Sequence, residues 1–167
     1  MALPAKLAEA FNSQITLEFA AAYQYLATAA WLESESFPGM AQWMQMQSEE
    51  EWTHGMRFYQ FVLDRDASVK LGAIPAPHDV FDSPYAAFES ALVSEQQVTA
   101  SINDLYALAT EMHDYASLPL LDWFVNEQVE EEAAVTQIID DLERAGADGH
   151  TLLMLDRELG ARPPVEA

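Results

Sequence analysis

Apolar side chains recur along this chain in lanes seven residues apart, set in pairs offset by three or four, the mark of helices that bury one face in a bundle. Four long segments carry the pattern, and their boundaries are set by helix breakers and caps. It predicts α1 over about 4–33, opened by Pro4; α2 over about 38–67, opened by Pro38; α3 over about 83–112, opened by the Ser83-Pro84 cap; and α4 over about 117–145, stopped by Gly146. A short α5 follows over about 148–159, and Gly160 with Pro163-Pro164 ends the structure. The expectation is an all-α chain forming one domain over 1–167.

The connections set the topology. Those between α1 and α2, α3 and α4, and α4 and α5 are short, which makes neighbours antiparallel. About fifteen residues, 68–82, separate α2 from α3 and include Gly72, Pro75 and Pro77. Fifteen extended residues reach about 50 Å, and a helix of 28 residues is roughly 42 Å long. The loop can therefore run the length of a bundle and leave α2 and α3 parallel, giving a four-helix bundle with one long crossover.

The lanes are not purely apolar. α1 reads Phe11, Glu18, Tyr25, Leu32. α2 reads Phe37, Met44, Glu51, Phe58 and Met40, Gln47, His54, Phe61. α3 reads Phe88, Glu95, Ile102, Ala109 and Leu92, Thr99, Tyr106; α4 reads Phe124, Glu131, Ile138 and Leu121, Gln128, Val135, Leu142. Glu18, Glu51, His54, Glu95, Gln128 and Glu131 all fall within about one turn of their helix midpoints. In an up-down bundle those midpoints share a layer. Four glutamates, one histidine and one glutamine are thus expected to converge at one height in the core.

Buried carboxylates that face one another are costly, and no Lys or Arg in these lanes is placed to neutralise four of them. A divalent or trivalent cation is the economical partner. Oxygen ligands with a single imidazole suit iron or manganese better than copper, and the ligand count is enough for two metals. The bland alternative reads Glu49-Glu50-Glu51 and Glu130-Glu131-Glu132 as solvated runs and His54 as structural. It would have to hold on four helices at one height. Met40, Met44, Met46 and Met56 are read as packing residues.

Composition narrows the chemistry further. Cysteine is absent, which removes disulfides, thiolate zinc sites and iron–sulfur ligation. Acidic residues number 28 against 7 basic ones, for a formal charge of −21. Such a chain repels nucleic acid and anionic membrane surfaces and attracts cations. It has no run of 18 apolar residues, and residues 1–14 lack the apolar core of a signal peptide, so a cytoplasmic location is expected.

These residues resemble the bacterial non-haem ferritins. The pieces are Leu17-Glu18, Tyr25, Glu50-Glu51-Trp52-Thr53-His54, Glu95-Gln96 and Asn126-Glu127-Gln128-Val129-Glu130-Glu131, and the likeness runs from Leu7 to about Leu159. The resemblance implies a ferritin-like bundle with a short fifth helix and a di-iron ferroxidase centre. Glu18, Glu51 and His54 would hold the first iron, with Glu51 bridging. Glu51, Glu95 and Glu131 would hold the second, with Gln128 close by. Glu50, Glu127, Glu130 and Glu131 match a third iron site. Tyr25 matches a tyrosine beside the centre that is a proposed electron donor, and Trp123 an aromatic near that tyrosine. The acidic pair lining the threefold channel of animal ferritins falls here on Leu118 and Leu121.

The activity so implied is oxidation of Fe(II) by O2 or H2O2 and deposition of ferric mineral inside a shell of 24 subunits. Leu152, Leu155 and Leu159 of α5 would face a fourfold axis or pack against the bundle. Haem is not expected: Trp52 stands where bacterioferritin has its haem-ligating methionine, and Gln128-x-x-Glu131 replaces that family's second Glu-x-x-His. Two rival readings are a peroxide-consuming di-iron enzyme without storage and a metal-free structural bundle.

Overall fold

The computed structural model describes residues 1–161, and the Pro163-Pro164 stop lies outside them. The helices are α1 Ala5–Ser34, α2 Pro38–Asp64, α3 Pro84–Glu111, α4 Leu118–Ala145 and α5 Gly149–Leu159. Local chemistry explains the ends. Ser83 accepts a hydrogen bond from the Ala86 amide at 3.1 Å, and Asp148 accepts one from the Thr151 amide at 2.8 Å. Gly146 adopts φ 54° beyond α4, where a side chain would be strained.

α2 stops about three residues earlier than the sequence pattern predicts. Asp66 turns into the left-handed region at φ 55°. Arg65 is meanwhile claimed by other segments: its guanidinium pairs with Asp114 at 2.6 Å and its Nε donates to the Met1 carbonyl. The Leu3 amide donates to the Arg65 carbonyl. These bonds pin the N-terminus, the end of α2 and the α3–α4 turn together at one end of the bundle.

The crossover between α2 and α3 has no regular structure and climbs the outside of α1. Asn12 bonds both the Ser68 carbonyl and the Lys70 amide, and Thr16 accepts from the Gly72 amide. Further along, Gln24 exchanges two hydrogen bonds with His78, and Trp31 packs edge-on to Phe81 at 5.2 Å. These rungs satisfy backbone groups that a loop of this length would leave to solvent, and α2 and α3 run parallel as expected.

The apolar core is divided into two clusters. One holds Leu7, Phe11, Ile15, Phe58, Val62, Ile102, Leu105 and Phe124; the other holds Ala29, Leu32, Met40, Met44, Phe88, Val135 and Leu142. The polar layer lies between them. On α3 the buried second lane is Ala91, Val98 and Leu105, not Leu92, Thr99 and Tyr106, which are half-buried. Packing rotates α3 by one residue, choosing the three-residue offset over the four-residue one. Met40 and Met44 fill the core, whereas Met56 is exposed, so it is not a packing residue.

α5 closes one end. Leu152, Leu155 and Leu159 pack against the second core cluster, while Leu153 and Met154 face outward. Buried Asp156 accepts a hydrogen bond from the Met40 amide at 2.9 Å, satisfying an orphan donor in the first turn of α2. The two helices touch so closely that a methyl on Gly39 would lie 1.7 Å from the Asp156 carbonyl.

Candidate metal centre

Each long helix delivers its central polar residue to the layer between the two core clusters. Glu18, Glu51, His54, Glu95, Gln128 and Glu131 are all buried, none more than 5 % exposed. Glu18, Glu51 and His54 each bring one ligand atom to within 4.8 Å of the others. His54, Glu127 and Glu131 form a second such group, with His54 common to both. Glu50 and Glu127 are half-buried and Glu130 is exposed, so the carboxylates run from the buried layer outward.

Burial pushes the Glu18 carboxyl up to about 7, with a hydrogen bond from Gln14 pulling the other way. It pushes Glu131 up to about 8, and the charge of Glu95 adds to the rise. Glu51 is raised well above its ordinary value by burial and then by Glu95 and Glu18. Glu95 is raised by burial against hydrogen bonds from Tyr25 and Gln128. His54 is lowered to about 4, first by burial and then by the charge of Arg57, so its imidazole is neutral and has a lone pair to give.

The hydrogen bonds orient these groups without satisfying them. Gln14 donates to Glu18 at 2.9 Å, and Gln47 donates to Glu131 at 2.7 Å. Gln128 donates to Glu95, and the Tyr25 phenol donates to its other oxygen. Oε2 of Glu18, both carboxylate oxygens of Glu51, Nδ1 of His54 and Oε1 of Gln128 are buried with no hydrogen-bond partner. Orphaned lone pairs of this density cost several kcal/mol in a folded core unless something binds them. They are all oxygen or imidazole donors, so the set fits a hard or borderline cation such as iron.

Most of the site residues expected from sequence are brought together; two neighbours differ from expectation. Trp123 does not pack on Tyr25. Its ring lies 5.5 Å from that of His54, and the Tyr25 ring instead faces Trp43 at 6.4 Å. Tyr25 and Trp123 sit on opposite sides of the carboxylates, because Tyr25 is a heptad beyond Glu18 whereas Trp123 is a turn before Glu127. Gln14 and Gln47 also belong to the layer, though the sequence pattern does not mark either as a site residue. Gln14 lies in the second buried lane of α1, Leu7, Gln14, Ala21, Thr28, and that lane was the signal for it. Of the two leucines at the channel positions, Leu121 is fully buried and Leu118 packs on the core.

A four-helix bundle with one long crossover and a layer of inward-facing glutamates defines the class of carboxylate-ligated metal bundles. Residues 8–145 match the model of the ferritin-like domain, and the chain belongs to the ferritin family. It is 41% identical over 157 residues to a bacterial non-heme ferritin of Staphylococcus saprophyticus, covering 94% of each chain. It is 39% identical over 160 residues to that of Staphylococcus aureus, covering 96% of each. Among solved structures, an open-pore ferritin of Archaeoglobus fulgidus superposes with TM-score 0.95 at 40% identity, covering 96% of this chain and 98% of that one. A humanized archaeal ferritin superposes with TM-score 0.97 at 38% identity, over 99% and 100% of the two chains.

Proposed function

We propose that this chain stores iron and acts as a ferroxidase: it takes up Fe(II), oxidises it at a two-iron centre and passes Fe(III) to a mineral enclosed by a shell of 24 subunits. The observation that carries this reading is the row of buried ligand atoms on Glu18, Glu51, His54 and Gln128 that no hydrogen bond satisfies, the Glu51 carboxylate and the His54 Nδ1 facing each other at 3.4 Å. Iron is here the substrate. Glu18, Glu51 and His54 would hold one ion; Glu51, Glu95 and Glu131 would hold the other, with Gln128 beside them. Two Fe(II) each give up one electron, and O2 takes both electrons with two protons to become H2O2.

The protein's own contribution is electrostatic and positional. Hard anionic oxygens favour Fe(III) over Fe(II), which makes oxidation easier. The raised carboxyl values mean that Glu18 and Glu131 carry protons near neutral pH in the absence of metal. Metal binding displaces those protons. Tyr25 holds its own proton firmly, because burial and the surrounding carboxylates oppose phenolate formation. Its hydrogen bond to Glu95 supports a role as an electron donor of last resort to the centre. Glu50, Glu127, Glu130 and Glu131 would hold a further ion on its way outward.

Haem binding is not part of this reading. Trp52 is 56% exposed and stacks on Phe19 at 4.5 Å, and an indole cannot ligate haem iron. No described helix is long and apolar enough to cross a membrane. The charge of −21 opposes nucleic-acid binding. Anaerobic Fe(II) titration followed by O2 or H2O2, with size exclusion of the same sample, tests the whole. The expected result is saturation at two or three Fe(II) per chain, oxidation on adding oxidant, and an iron core eluting with a particle of about 450 kDa, 24 copies of the 18.6 kDa chain. Protein that oxidises iron but stays a small oligomer would favour the peroxide-consuming enzyme; protein that binds no Fe(II) would favour the metal-free bundle.

A further inference from the structure

The side-chain amide of buried Gln128 meets α3 through its nitrogen. Nε2 lies 3.2 Å from the Glu95 backbone carbonyl, from Oε2 of Glu95 and from the Thr99 hydroxyl. A backbone carbonyl can only accept, so this end of the amide must be the NH2. Thr99 has a single hydroxyl proton, and it goes to Oε1 of Glu132 at 2.6 Å. What Thr99 turns toward Gln128 is therefore a lone pair. The amide oxygen at the other end, Oε1 of Gln128, is left buried with no hydrogen-bond partner. A second hydroxyl of α3 works in the opposite sense. Ser101 donates its proton to the Gln14 amide oxygen, and the Gln14 nitrogen is thereby turned to Glu18. One hydroxyl thus points an N–H at a carboxylate of the layer, while the other draws the N–H groups to itself and frees an oxygen.

We propose that Thr99 and Glu132 are positioning residues, a hydroxyl–carboxylate pair that locks the Gln128 amide with its oxygen offered as a neutral ligand to the ion shared with Glu95. The inference rests on the two-iron reading of the centre. Reversing the amide would set its oxygen against the Glu95 backbone carbonyl and would leave only N–H groups to face a cation. In the orientation observed, the free atom is a carbonyl oxygen, a hard donor that suits iron and adds no charge. A neutral ligand is an advantage in a layer where four carboxylates already repel one another. Glu132 is only half-buried and takes no place among the buried ligands. It acts through the Thr99 proton alone: by accepting that proton it removes the one group that could draw the amide oxygen toward α3.

The test is anaerobic titration of the assembled, iron-free protein with Co(II), read by its d–d absorption and by competition with a chelator. Gln128→Leu marks the binding step that the amide oxygen serves: that step should weaken and its Co(II) bands should shift. Thr99→Val has the same shape but no lone pair, and should weaken the same step about tenfold, shift the same bands and leave the other step within about twofold. Thr99→Ser, which keeps the hydroxyl, should restore most of the affinity and the wild-type bands. In the double variant Thr99→Val with Gln128→Leu the two losses should not add, because both remove one oxygen from the ion. Glu132→Ala should weaken the same step, and its effect should vanish in the Gln128→Leu background; an effect of charge alone would persist there and would overturn the role given to Glu132. Unchanged binding in Gln128→Leu would mean that the oxygen turns instead to the cleft of about 330 Å³ between α3 and α4 that Thr99, Gln128 and Glu132 line, and would overturn the proposal. So would unchanged binding in Thr99→Val, or a loss there that Thr99→Ser does not repair or that adds in full to that of Gln128→Leu. Each of these outcomes leaves the metal centre standing, whereas wild-type protein that binds no Co(II) overturns both.

Discussion

The phenol of Tyr25 donates its hydrogen bond to Oε1 of Glu95, seventy positions away on a different helix. That contact ties an oxidisable side chain directly to a carboxylate of the metal layer. Tyr25→Phe removes it at almost constant volume. The expected stability change is about 1 kcal/mol, so the variant should fold and should keep the first two-iron oxidation. What it should lose is any tyrosyl radical trapped after oxygen addition, with slower later turnover. Freeze-quench EPR beside stopped-flow absorbance makes the comparison; a radical of unchanged yield in the variant would assign the electron to another residue.

Glu51 and Glu130 differ in depth more than in chemistry. Glu51 is fully buried, with both oxygens unpartnered, while Glu130 is exposed. Glu51→Ala should slow oxidation at two Fe(II) per chain by more than about a hundredfold, beyond the 10- to 100-fold typical of losing a residue that merely supports a ligand. His54→Ala should be nearly as severe. Glu130→Ala should keep the fast phase and alter only later turnover or the iron-to-oxygen ratio. Stopped-flow traces of the variants side by side decide it, and loss of the fast phase in Glu130→Ala alone would reverse the division of labour.

Gln47 is fully buried and donates to Glu131 at 2.7 Å. Gln47→Leu keeps the size and deletes the donor, so Glu131 loses its orienting partner. Metal affinity at the site should fall about 10- to 100-fold, with the helical content of the protein unchanged. Competition with a chelator, read with Zn(II), gives the number; an affinity within twofold of wild type would mean that Glu131 needs no such support.

The pH dependence of the metal-free protein follows from the direction of the shifts. Glu18 and Glu131 have folded-state values of about 7 and about 8 against an ordinary 4.5, and Glu51 and Glu95 are also raised. A raised carboxyl stabilises the fold fully below its unfolded value, and that stability drains away as pH climbs through the folded one. Asp114, lowered by its hydrogen bond from Arg65, works the other way and loses its contribution on acidification. The iron-free bundle should therefore be most stable near pH 5 and weaken, on the order of several kcal/mol, toward pH 8. Thermal unfolding across that range, with and without Zn(II), is the measurement. Metal should flatten the curve, and a metal-free protein that gains stability from pH 5 to 8 would contradict the burial of these groups.

Asp156 tests the docking of α5. Asp156→Ala removes the acceptor for the Met40 amide and should cost about 1–2 kcal/mol, as for other lost helix caps. Unfolding temperature and native mass should both register it, since Leu152, Leu155 and Leu159 hold the same helix in place. An unchanged melting point would show that water replaces the carboxylate there.

The bundle and its metal layer were legible because two independent patterns coincide. Seven-residue lanes locate the helices, and an ionisable residue interrupts the core stripe of each long helix near its centre. What the lanes left undetermined is rotation. A three-residue and a four-residue offset are equally helical, and only packing selected Val98 over Thr99 on α3. The same ambiguity conceals Gln14, which lies on the second of two buried lanes of α1. The contact of Trp123 with His54 is illegible for a different reason: adjacency across helices depends on which faces meet, and no spacing along one chain encodes that. The early end of α2 follows from a tertiary ion pair between Arg65 and Asp114, forty-nine positions apart, which no local pattern displays.

The long crossover divides the chain into two helical hairpins, α1–α2 and α3–α4, and the metal layer is divided along the same seam. Glu18, Glu51 and His54 belong to the first hairpin; Glu95, Gln128 and Glu131 belong to the second. The first hairpin brings one three-ligand group, but the ligands proposed for a second ion come from both hairpins, so the two-ion site comes into being only when the two halves meet. Their meeting brings like-charged carboxylates face to face, and the electrostatic resistance to folding is concentrated at that seam. A metal ion or a pair of protons captured at the seam turns the same encounter into an attractive one. Iron supply can thus act on how readily the newly made chain closes, before any shell exists to be filled.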